Sequence, residues 1–130
     1  MNKDELIKYW EVTSDIDYKA MQNLYLSGDY HWVLFMGHLV IEKLLKGCYV
    51  KNIDEKVPFT HDLLRIASMA KLIVDDETAN SLDLITTFNM SARYPDYKQV
   101  FYSKCTKEFT FKNIKKIEEA RLWLKEIIKS

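Results

Sequence analysis

Two histidines, one glutamate, one arginine and a handful of lysines are the residues through which this chain could act on a proton or a phosphate. His38 stands four residues before Glu42, so on a helix the two share a face. An imidazole and a carboxylate so placed make half a metal site, but a third and fourth ligand are not evident, and a hydrogen-bonded structural pair is expected. No metal and no cofactor are expected. His61 lies in Thr60-His61-Asp62-Leu63 and reads as a helix cap, with Asp62 meeting the helix dipole. His31 reads as a surface residue. Lys46 follows Glu42 by four residues, an orientation that favours a helix ion pair of about a few tenths of a kcal/mol. Lys43 and Lys46 are equally placed to face a phosphate. Arg93, just before Tyr94-Pro95, either anchors a loop through a carboxylate or binds a phosphate or nucleotide. Glu42 and Asp17 are its expected partners, because each interrupts an apolar helix face, where a carboxylate is costly unless paired.

One segment is locally basic. From Tyr97 to Ile117 stand Lys98, Lys104, Lys107, Lys112, Lys115 and Lys116 against Glu108 alone, interleaved with Tyr97, Phe101, Tyr102, Phe109 and Phe111. Cations among aromatics suit single-stranded RNA, which needs phosphate contacts and stacking platforms. The competing reading, favoured by the zero net charge, packs the aromatics onto the protein and leaves the lysines solvated.

The elements that position these residues are helical. With 130 residues, 48% hydrophobic and 29% charged, the chain can bury the core of one domain, residues 1–130. Three Gly and two Pro are too few for the turns of an all-β protein. Apolar residues three and four apart predict a helix over about Lys3–Ser27, stopped by Gly28-Asp29, with Asp29 as the next cap. A second helix from near Tyr30 to Val50 is apolar nearly all round, which puts it at the centre of a bundle. Pro58 breaks the following loop. A short third helix is predicted from Thr60 or His61 to about Lys71, a fourth from Asp75 to about Asn89, and a last over about Lys112–Ile128. The fold class is therefore all-α, an antiparallel up-and-down bundle of four to five helices.

The neutral balance, pI about 6.8, gives no global pull toward nucleic acid or anionic membranes. No secretory signal and no membrane span are read, so a cytoplasmic location is expected. Cys48 and Cys105 read as small core residues of a reducing compartment.

Four strings occur in a telling order: Leu24-Tyr25-Leu26-Ser27-Gly28-Asp29-Tyr30, then His31 to Gly47 with its Glu42-Lys43-x-x-Lys46 core, then Thr60-His61-Asp62-Leu63, then Ala92-Arg93-Tyr94-Pro95-Asp96. Together they resemble the HEPN domain over nearly the whole chain. The resemblance implies a helical bundle that pairs as a homodimer. It further implies one of two roles: a metal-independent ribonuclease, often a toxin accompanied by a small nucleotidyltransferase, or a silent module binding a nucleotide, RNA or a partner protein. The ribonuclease members separate an Arg from a following His by four to six intervening residues. Arg93 matches that Arg, but the corresponding positions hold Lys98, Gln99 and Val100. Cleavage by that motif is therefore not expected, since Tyr97 is a poor base at neutral pH. The sequence favours a binding module. The alternatives are a divergent ribonuclease using Arg93 with His61 or Tyr97 as base, and a purely structural dimerising subunit.

Overall fold

The computed structural model describes residues 1–130, apart from the side chain of Pro95. Among the described residues the chain forms six helices: α1 (Lys3–Ser27), α2 (Tyr30–Asn52), α3 (Leu63–Met69), α4 (Asp76–Arg93), α5 (Pro95–Lys104) and α6 (Lys107–Lys129). The expected count of four to five is one short, because α5 is a helix where the sequence predicts a connection.

α1 starts on a capping box. The Asn2 side chain accepts from the Glu5 amide at 2.9 Å, while Glu5 Oε1 accepts from the Asn2 amide. It stops at Gly28, whose φ of 82° lies in the left-handed region, and the Asp29 amide donates back to the Leu24 carbonyl. Asp29 does not cap α2 as expected; its carboxylate instead accepts from the Ser27 hydroxyl. The two-residue connection folds α1 back along α2.

α2 is the central helix. It packs against each of the other five, and Val33, Leu34, Val40, Ile41, Leu44, Leu45, Cys48 and Val50 are fully buried along it. Two glycines permit close approach: a Cβ on Gly37 would collide with Ile117 Cδ1 of α6, and one on Gly47 would lie 3.3 Å from Ile128 Cδ1. Those contacts also show that α6 runs parallel to α2. The order of contacts makes α4 antiparallel to both, since Asn89 meets His38 whereas Arg93, one turn later on α4, stands over Phe35, one turn earlier on α2. The four long helices thus alternate direction, as an up-and-down bundle requires. Fully burying a Leu or Ile contributes about 1.5–3 kcal/mol, so this seam holds the domain together. No helix among the described residues is long and apolar enough to cross a membrane.

Local chemistry explains each boundary the sequence misplaces. α3 begins at Leu63, and its cap is Asp62, whose side chain accepts from the Arg65 amide; neither Thr60 nor His61 caps it. α4 continues to Arg93. Tyr94 is extended (φ −97°, ψ 126°), as a residue before proline should be, but Pro95 then occupies the first turn of a new helix, where its missing N–H costs nothing. α5 sinks Phe101 against Phe88, and α6 starts at Lys107 because Thr106 caps it through the Phe109 amide.

Candidate functional site

One stripe of α2 carries His31, Phe35, His38 and Glu42, at intervals of four, three and four residues. Its C-terminal part is a closed polar network. Glu42 is 5% exposed. His61 Nδ1 donates to Glu42 Oε1 at 2.7 Å and Lys46 Nζ to Oε2 at 3.1 Å. Burial alone would push the Glu42 carboxyl up, but the His61 hydrogen bond and the Lys46 charge more than offset it and hold the group below its usual range. His38 is fully buried. Its Nε2–H donates to the His61 carbonyl at 2.8 Å, and its Nδ1 accepts from the Asn89 amide at 3.2 Å. Both ring nitrogens are thereby engaged with the imidazole neutral, and burial drives its pKa down accordingly. The expected His38–Glu42 pair is thus indirect: the two side chains lie 3.9 Å apart, joined through His61. Among the described residues no three His, Cys, Asp or Glu side chains are arranged to hold a metal ion.

The N-terminal part of the same stripe is open. Arg93, exposed at the end of α4, stands over the Phe35 ring at 6.0 Å, and Lys98 Nζ over the Trp32 ring at 5.5 Å. His31 is buried between Trp32 and Tyr102, at ring separations of 4.9 and 5.0 Å, so it is not the surface residue the sequence suggests. Tyr94, just before α5, and Tyr97 and Tyr102 along it are more than half exposed. Neither Arg93 nor Lys98 enters an ion pair among the described residues. Arg93 therefore has neither of its expected carboxylate partners: Glu42 is taken by His61 and Lys46. Asp17 faces Lys43, whose Nζ lies 2.6 Å from Asp17 Oδ2 but off the angle of a hydrogen bond, so that contact is Coulombic.

The basic segment divides between two faces. Lys98 belongs to the aromatic face. Lys104 stands over Phe109 and Lys115 over Phe111. Lys112, Lys115 and Lys116 line an open groove of about 560 Å³ between α4 and α6, together with Glu77 and Glu119, which dilute their positive potential. Lys107 is the exposed first residue of α6. No continuous lysine stripe results. Both cysteines are buried and unpaired, with thiols pushed up to about 12 for Cys48 and about 11 for Cys105 by burial.

Sequence reasoning missed Trp32, Phe35 and Asn89. The periodicity of α2 held the signal for the first two, and Asn89 sits four residues before Arg93 on α4. Trp32 and Phe35 were hidden because α2 reads as apolar nearly all round.

A family model described as HEPN domain matches residues 7–127. The crystal structure of TT1696 from Thermus thermophilus has a similar fold, with a TM-score of 0.80 and 16% identity, covering 93% of this chain and 97% of that one. Among curated proteins none matches.

Proposed function

This chain belongs to the HEPN domain family, and we propose that within it the protein is a binding module for single-stranded RNA or nucleotides, with the open end of α2 as the binding face. The observation that supports this is the pair of unpaired cations, Arg93 and Lys98, set over aromatic rings of α2. A cation beside an exposed ring offers one group to a phosphate and another to a base. The family's Arg-to-His spacing is broken at Lys98–Val100, so that motif supplies no base at this face. As partners the reading retains a second copy of the chain and a small nucleotidyltransferase, which family membership suggests, and a toxin–antitoxin-like setting.

The test is fluorescence anisotropy with a labelled mixed-sequence single-stranded RNA in EDTA, alongside ATP as a mononucleotide competitor. Wild type is expected to retain the RNA in a salt-dependent way, and Arg93→Ala to lower the salt slope by about one. Retention unchanged in both Arg93→Ala and Trp32→Ala would sink the assignment of this face. A protein that holds neither RNA nor ATP would instead be the dimerising accessory subunit.

A further inference from the structure

The N-terminus of α2 is left open by the way the chain enters it. The Trp32 and Val33 amides both donate to the Asp29 carbonyl, whereas those of Tyr30 and His31 find no acceptor among the described residues. The Asp29 side chain does not answer them, since its carboxylate is taken by the Ser27 hydroxyl. Two N–H groups and the positive end of a 23-residue helix are therefore left free together. A cavity of about 130 Å³ lies at that end, lined by Gly28, Tyr30, His31, Tyr102 and Cys105. His31 is 9% exposed, and its ring lies 5.0 Å from that of Tyr102, another lining residue. Neither ring nitrogen of His31 has a hydrogen-bond partner among the described residues, in contrast to His38. A buried polar ring of this kind destabilises the fold unless the contents of the cavity complete it.

We propose that this cavity is a phosphate pocket, which takes the terminal 5′-phosphate of an RNA strand or nucleotide while the first base lies on Trp32. The proposal deepens the RNA- and nucleotide-binding reading and rests on it. The pocket adjoins the aromatic face directly: the His31 ring is 4.9 Å from Trp32, and Lys98 Nζ stands 5.5 Å over that same Trp32 ring. Size and donor count select the ligand group. A volume of about 130 Å³ is well under the roughly 300–1,000 Å³ that encloses a whole ligand, so base and ribose stay outside on the rings. The Tyr30 amide, the His31 amide and the one N–H of a neutral imidazole supply three donors. A terminal phosphate offers three free oxygens to match them, whereas a phosphate inside a strand offers two. Charge agrees. Burial first, then the Lys98 charge, hold the His31 ring toward its neutral form, and Lys98 outweighs the opposing Asp29 there. Cys105, its thiol pushed up to about 11 by burial, stays protonated and adds no negative charge to the lining. An anion at a helix N-terminus with free amides is stabilised by those amides and by the dipole.

The test is fluorescence anisotropy on the full chain with one mixed-sequence RNA, labelled at its 3′ end and carrying either a 5′-phosphate or a 5′-hydroxyl. The phosphorylated strand is expected to bind about tenfold more tightly, the worth of a charge-assisted hydrogen bond. His31→Phe keeps a ring beside Tyr102 and Trp32 but removes the imidazole N–H. It should reduce that preference while leaving the 5′-hydroxyl strand bound as before. Amide spectra of ¹⁵N-labelled wild type carry the same test without a variant: AMP, but not adenosine, should shift the Tyr30 and His31 amides. A preference for the phosphorylated strand assigns the pocket to a strand end. AMP shifts with RNA indifferent to its 5′ end assign it to a mononucleotide. Equal binding of both strands, with the two amides unmoved by AMP, would overturn the pocket and spare the RNA-binding reading. A preference undiminished in folded His31→Phe would overturn it as well. RNA not held at all, while AMP still moves the amides, would overturn the RNA reading and keep the pocket.

Discussion

The two ends of α2 treat their polar groups in opposite ways. Toward the C-terminus, His38, Glu42 and Lys46 are drawn into a network in which their donors and acceptors are matched, with His61 and Asn89 supplied by distant elements. Toward the N-terminus, Arg93 and Lys98 approach α2 without a carboxylate between them and meet only rings. The difference follows from burial. A charge inside the bundle must find partners or destabilise the fold, whereas a cation at the rim keeps its hydration and remains available. The closed end therefore matches its polar groups internally, and the open end leaves two cations without a carboxylate. His61 is anchored at the closed end yet its side chain faces solvent.

The sharpest way to break this contrast is Glu42→Ala. It strands Lys46 and His61 beside a buried gap and should cost roughly 2–4 kcal/mol, read from urea denaturation midpoints. An unchanged midpoint would mean the network is not structural. Next in size is Trp32→Ala at the open end. It should weaken RNA retention by about tenfold, the worth of one stacked base, while leaving the urea midpoint nearly fixed. A large loss of stability there would erase the distinction between the two ends.

Acid should weaken the closed end, with a share also from His31 at the open end, whose pKa burial likewise lowers. His38 has its pKa depressed below the ordinary 6.5 and Glu42 below 4.5. The unfolded chain therefore binds these protons at higher pH than the folded one. Stability from His38 is present above pH 6.5 and is lost as pH falls toward its depressed value. Stability from Glu42 is present above pH 4.5 and is lost as pH falls through its own depressed value. Urea midpoints should thus decline from pH 7 downward, and His38→Gln should flatten the first part of that decline. A parallel slope in the variant would assign the decline to other groups. Smaller still, Lys112→Glu with Lys115→Glu should weaken RNA retention only slightly and lower its salt slope, because Glu77 and Glu119 already share that groove. A loss larger than that of Trp32→Ala would move the binding face to α4 and α6. The smallest effect belongs to Lys43→Ala, which removes the partly exposed pair with Asp17 and should cost less than about 1 kcal/mol.

What local rules govern was legible along the chain. Hydrophobic periodicity and the Gly28 stop fix α1 within its observed limits, and the nearly all-round apolar face of α2 is enough to put it at the centre. Proline was ambiguous, because Pro95 ends one helix and starts the next, and the same residue type signals both. The choice of partners belongs to the packing. Glu42 and His61 are 19 residues apart and His38 and Asn89 are 51, separations that no helical repeat encodes. A buried carboxylate announces that it needs a partner, but which cation or imidazole reaches it depends on how the helices cross. Pattern alone assigned Arg93 to Glu42 or Asp17, while the packed bundle brought His61 and Lys43 there first and left Arg93 at the rim over Phe35.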